Sequence, residues 1–253
     1  MFCPLCGKEV SEGQTFCQYC GGKIAEAGTA ASVAGRERTG WEDRSQLGVL
    51  QGLWRTWKSS LFTPSVCFRK MNVTGGLADP TLYALIVGMV GIMAFYFWQI
   101  LLQNSLPGSL SHDIKGPVGI DLFSGIGMAL VAIFSPFFII MGLFLWAGFL
   151  HLLLLLVQGA KNGFEATFRA VAYSYGSNLF LLIPFCGGII AAVWNIIVVI
   201  IGLKEAHGIS GGKAAFAVLF PVIFCCAAVL FFILVILGVA VASFGTLSSQ
   251  PWK

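Results

Sequence analysis

The stretch Gly159–Ala215, GAKNGFEATFRAVAYSYGSNLFLLIPFCGGIIAAVWNIIVVIIGLKEAHGISGGKAA, decides the fold. Two apolar arms, Phe164–Ile183 and Gly188–Leu203, flank the turn Pro184-Phe185-Cys186-Gly187-Gly188. The first arm carries Glu165 and Arg169 near its start and then a polar stripe. The second is apolar except for Asn195 and ends in Lys204-Glu205-Ala206-His207. At ~1.5 Å per residue each arm is ~25–30 Å long, enough for a thin or tilted bilayer crossing. In lipid the backbone must bond to itself, and a helical hairpin does so.

Composition extends the argument to the whole chain. Of 253 residues, 57% are hydrophobic and only 10% charged, with mean hydropathy +0.87. Soluble domains carry about 25% charged residues, so this is a membrane composition. Residues 1–20 hold four cysteines and no apolar core of a secretory signal.

Outward from the hairpin, a first span is expected over 81–102, followed by a polar loop over 104–120. Residues 122–157 form one apolar run, ~54 Å as a single helix. Ser135-Pro136 is the expected break, giving an interfacial or half-inserted segment at 120–134 and a span at 136–157. Two full crossings are the rival. The last span covers about 215–244, kinked or tilted near Pro221. The fold class expected is therefore an all-α polytopic membrane protein of five transmembrane helices, with a small N-terminal zinc-ribbon module. Lys and Arg alternate between the connections as the positive-inside rule requires for five spans, with the N-terminus cytosolic and the C-terminus outside. Residues 47–70, for example, hold Arg55, Lys58, Arg69 and Lys70 and no acid.

The N-terminal motif is the strongest local signal. Cys3-Pro4-Leu5-Cys6-Gly7 and Cys17-Gln18-Tyr19-Cys20-Gly21 are two CxxCG knuckles. Each turns two thiolates toward one ion, and two knuckles complete a tetrahedral four-Cys zinc site. Cys3, Cys6, Cys17 and Cys20 fill every ligand position, so a single structural Zn2+ is expected rather than a catalytic one. Two disulfides or redox thiols are the alternative; a reducing cytosol favours metal. So short a segment builds no core, and the metal supplies its folding energy. Nucleic acid is an unlikely partner: Lys8 and Lys23 stand against Glu9, Glu12 and Glu26.

Residues 1–22 are thus read as the ribbon, 23–46 as a flexible linker of small and polar residues, 47–78 as interfacial helices, and 79–247 as the membrane domain. In 47–62, Leu47, Leu50, Trp54, Trp57 and Leu61 share one helix face. With Arg55, Lys58, Arg69 and Lys70 nearby, this suits a helix in an anionic headgroup layer; packing on the protein's own cytosolic face is the other reading. Thr63-Pro64 begins a further short helix running to about Met71.

The run Phe168-Arg169-Ala170-Val171-Ala172-Tyr173-Ser174, then Ile183-Pro184, then Ile201-Gly202-Leu203-Lys204-Glu205-Ala206-His207-Gly208 resembles the Yip-domain membrane proteins. Phe68-Arg69-Lys70-Met71, Gly75-Gly76-Leu77 and Pro80 resemble the opening of that domain in its prokaryotic members. The resemblance covers residues 47–245. It implies a prokaryotic cytoplasmic-membrane protein related to trafficking proteins that interact with Rab-type GTPases. The Asp-Leu-Tyr-Gly-Pro signature of the eukaryotic members is absent, so a GTPase partner is not implied.

Polar residues inside a bilayer are costly and mark candidate sites. Counted from the cytosolic ends, His151 lies ~10 Å deep, Tyr173 ~14 Å and Asn195 ~12 Å. One intramembrane cluster of these three is expected, with Ser174, Ser177 and Asn178 nearby. Its bland reading is helix–helix adhesion; its sharper one is a polar pocket or proton-linked site. Ala166, Ala170 and Ser174 form a small-residue packing face, and Arg169 is expected to snorkel to the cytosolic surface beside Glu165. The sequence has no P-loop, GxSxG, HExxH or paired carboxylates at depth, so no enzyme is expected. The leading expectation is a non-enzymatic membrane-organising or trafficking-type adaptor docking through its ribbon. The alternative is a small transporter or channel built on the His151 layer. The partners expected are the lipid bilayer and cytosolic proteins, with a homo-oligomer left open.

Overall fold

The computed structural model describes residues 8, 18–20, 36–105 and 125–248. Cys3, Cys6 and Cys17 lie outside the described residues, as does segment 23–35 of the expected linker.

Three short helices, α1 (Arg44–Leu47), α2 (Val49–Phe62) and α3 (Pro64–Lys70), precede the bundle. They are followed by α4 (Ala78–Ser105), α5 (Gly125–Leu156), α6 (Gly163–Ser174), a 3-10 helix (Tyr175–Leu182), α7 (Gly187–His207) and α8 (Gly211–Ser248). Among the described residues the one strand-like feature is an isolated parallel bridge between Glu37 and Met71.

Four of these helices are long and apolar enough to cross a membrane: Ala78–Leu102, Gly127–Leu156, Gly187–His207 and Gly211–Gly238. The chain is an integral membrane protein whose described elements are helices. Two sequence expectations need correction. The arm expected over 164–183 is not one continuous helix, because α6 gives way to the 3-10 segment after Ser174. The carbonyls at this junction accept from side chains: Ser174 from Asn195 Nδ2 (3.1 Å) and Gly176 from Trp57 Nε1 (3.0 Å). Irregular backbone survives at membrane depth where protein buries it, and Gly176 and Ser177, just past the junction, are buried. The count of five uniform spans becomes four long helices around one broken arm.

The second correction concerns Ser135-Pro136. It does not end a helix; α5 runs unbroken from Gly125 to Leu156 with Pro136 inside it. The expected break is absent, and the described part of 120–134 belongs to the same helix as 136–156. A proline removes one hydrogen bond, which a helix locked by neighbours tolerates, and Ser135 Oγ packs on Met89 Sδ of α4 at 2.9 Å. Pro221 likewise lies inside α8. Beyond it the helix leaves the bundle: the large side chains from Ile223 to Leu237 are 47–67% exposed. Lipid is as apolar as these side chains, so the exposure costs little in a bilayer.

Indoles fasten the elements together. Trp41, Trp57, Trp98 and Trp194 each donate Nε1–H to a carbonyl of another element: Asp79, Gly176, Leu182 and Leu61 respectively. Leu61 and Leu182 lie at helix C-termini, where carbonyls lack intrahelical donors.

The short helix α2 turns Gly52 and Thr56 toward residues 40–44 and Ser60 and Leu61 toward the bundle, and Leu50, Trp54 and Phe62 remain exposed. Of the face expected in the headgroup layer, Trp57 and Leu61 turn inward, as the alternative of packing on the protein's own face has it.

Candidate functional site

Residues 36–43, expected to be linker, are a strap seated across one end of the bundle. Its composition is polar, but its bonds are specific. Arg36 donates to the carbonyls of Met71 (3.1 Å) and Ala206 (3.4 Å). The Glu37–Met71 bridge is closed by Glu37 N to Lys70 O and Asn72 N to Glu37 O. Trp41 is 1% exposed; its amide donates to Thr56 Oγ1 at 2.7 Å and its ring meets Tyr83 edge-on. Arg44 covers the Trp41 ring and pairs with Asp79 at 2.8 Å. Gly52 permits this crossing, since a Cβ there would stand 2.7 Å from the Gly40 carbonyl.

The strap inserts Glu42 beside Arg169. The two form an ion pair with side chains 4% and 2% exposed. The guanidinium also donates to the carbonyls of Asn72 (Nε, 2.7 Å) and Gly76 (Nη1, 2.9 Å), with Glu165 more distant at 3.6 Å. Glu42 further accepts from Tyr173 OH (2.8 Å) and Thr39 N (3.0 Å), and Thr39 Oγ1 donates to Tyr173 OH at 3.1 Å. Arg169 therefore does not snorkel to the surface. It is a buried charge matched by a buried charge, the arrangement that low dielectric demands.

The expected cluster of His151, Tyr173 and Asn195 separates into three networks. Tyr173 belongs to the Glu42–Arg169 centre. His151 Nδ1 bonds Thr167 Oγ1 at 2.9 Å, and Thr167 bonds His207 Nε2 at 2.8 Å. The Asn162 amide donates to His207 Nδ1 at 3.1 Å, which leaves neutral His207 its proton on Nε2. Thr167 then accepts from His207 and donates to His151. Asn195 donates to Ser174 O and to Ser177 Oγ (3.0 Å). Ser174 and Ser177 hydroxyls bond carbonyls of their own arm, and Asn178 is half-buried against Gly91. Helical rise set the three groups at similar depth, but their angular positions send them to different neighbours. The small-residue face does pack closely, with Ala170 against Gly202 of α7.

The surface cations divide. Arg55 and Lys58 are exposed on α2. Arg69 is held by Glu205 at 2.9 and 3.3 Å, which raises its pKa, and Lys70 pairs with Glu37 at 3.2 Å. Burial pushes the Cys67 thiol up, partly offset by a Ser59 hydrogen bond. Sequence reasoning missed Glu42, Thr167 and His207. Trp41 amid polar residues was the available signal for the first, and a Thr and a His at matching depth to His151 for the others.

Among the described residues no group of three His, Cys, Asp or Glu is placed to hold a metal. The donor set in 3–20, four thiols in two CxxCG knuckles, suits zinc; of these Cys20 is described and exposed.

A multi-helix membrane bundle with an N-terminal cysteine module is the class that fold and site define. The Yip1-domain model matches residues 58–234, well over half of the chain, and the protein belongs to that family. A zinc-ribbon domain model matches residues 2–24, which implies zinc binding. No curated protein and no solved structure matches the chain.

Proposed function

We propose that this protein is a non-enzymatic membrane-organising adaptor whose zinc ribbon recruits a cytosolic protein. One observation carries the reading: the strap that follows the ribbon in the chain is anchored through Glu42 to Arg169, which fixes the ribbon's attachment point at one end of the membrane domain. One structural zinc on Cys3, Cys6, Cys17 and Cys20 folds the ribbon. The N-terminus is cytosolic in a prokaryotic cytoplasmic membrane, and exposed Leu50, Trp54, Arg55 and Lys58 lie at its inner interface. Against conduction, the three polar networks are separate, and the His151–Thr167–His207 chain joins residues near one end of the bundle.

Crosslinking capture with Cys3→Ser plus Cys17→Ser tests the proposal. The variant should insert normally, lose about one zinc per chain and lose its crosslinked cytosolic partners. Unchanged partners on an inserted, zinc-free variant would remove the docking role.

A further inference from the structure

A cleft of about 630 Å³ lies toward the end of the bundle away from the strap, between α4, α5, the 3-10 segment and α7. Most of its wall is apolar, including Phe138, Trp146 and Ile196. Three polar side chains also line it: Tyr175, Asn178 and Asn195. Among the described residues the Tyr175 hydroxyl and the Asn178 amide make no hydrogen bond, and Asn195 uses only its Nδ2, leaving Oδ1 free. Asn195 lies ~12 Å along α7 from Gly187 and ~18 Å from His207, well inside the span.

Unmatched polar groups at this depth are costly, because hydrocarbon offers neither donors nor acceptors. Three of them converging on one cavity of ligand size describe a binding site. Together they offer a hydroxyl, a primary amide and a carbonyl oxygen, so a ligand must both donate and accept. Among the described residues no charged one lines the cleft, so none of them compensates a charged headgroup. We propose that the cleft binds a neutral, small-headed amphiphile from the bilayer, with a hydroxyl or secondary amide between Tyr175, Asn178 and Asn195 and its chain along Phe138 and Trp146.

The test uses the full chain in phosphatidylcholine liposomes and two photoactivatable probes: a diazirine-bearing hexadecanol and the matching hexadecane without the hydroxyl. Crosslinks are mapped by peptide mass spectrometry. The alcohol should concentrate on cleft peptides of α5 and α7, and the alkane should label lipid-facing residues, including those of α8, without that preference. Tyr175→Phe removes one hydroxyl and no volume; with Asn178→Leu it should lower cleft labelling by the alcohol about fivefold per lost hydrogen bond. Equal patterns for the two probes would overturn the proposal, since water or hydrocarbon alone would then fill the cleft. So would an alcohol preference that survives Tyr175→Phe and Asn178→Leu. If Asn178→Leu fails to insert, Tyr175→Phe alone decides between these outcomes.

Discussion

Replacing Glu42 with glutamine removes one charge from the buried centre and keeps its shape. Arg169 and Glu42 are 2% and 4% exposed, so water does not take the place of the lost partner. Breaking a buried ion pair from one side costs ~3–5 kcal/mol. Hydrogen-bond geometry gives the same scale. The carboxylate accepts from Arg169, Tyr173 and the Thr39 amide, using both oxygens. In glutamine one of those oxygens becomes a donor facing a donor, at ~1–3 kcal/mol for each unmatched group. Taking ~4 kcal/mol, strap opening becomes about a thousandfold more frequent. The Trp41 amide, bonded to Thr56 Oγ1, reports that opening. Hydrogen exchange of the segment 36–47 in detergent should therefore accelerate by two to three orders of magnitude, ~3–4 kcal/mol. Tryptic cleavage at Arg38 and Arg44 should rise with it. Exchange within about threefold of wild type, below ~0.7 kcal/mol, would show that the pair does not hold the strap. The double variant Glu42→Leu with Arg169→Met supplies a second check. It should be less damaging than the sum of its parts by at least ~1 kcal/mol, whereas additivity within ~0.5 kcal/mol would deny the coupling.

Other perturbations follow from the same geometry. Gly91→Ala should lower the thermal midpoint in detergent by the ~1–3 kcal/mol typical of overpacking, because a Cβ there would stand 2.5 Å from the Asn178 carbonyl. Gly142→Ala, with nothing within 4 Å, should be neutral or slightly stabilising by the same assay. Thr167→Val removes the hydroxyl that bridges His151 and His207 and should cost ~1–3 kcal/mol, largely recovered by Thr167→Ser; equal loss in both variants would point to the methyl group instead. Burial raises the Cys67 pKa, so at pH 8 its thiolate fraction is below that of an ordinary cysteine. Its maleimide rate should keep climbing about tenfold per pH unit beyond ~8.5, where exposed thiols level off. A plateau near that value would contradict the burial.

Local chemistry determined much of this protein from its sequence alone. Hydropathy is summed residue by residue, so the long apolar runs announced a membrane bundle and placed α4, α7 and most of α8. The CxxCG knuckles were legible for the same reason, since ligand spacing is a short-range property. Tertiary structure decided the rest. Residues 36–43 have a linker's composition, and only contacts with Arg169 and Tyr173, more than a hundred positions away, make Glu42 a core residue. Rise per residue gives depth but not azimuth, so His151, Tyr173 and Asn195 share a layer without sharing partners. Pro136 and the 3-10 arm are settled the same way. Whether a helix tolerates a missing bond depends on what surrounds it, and those neighbours come from distant parts of the chain.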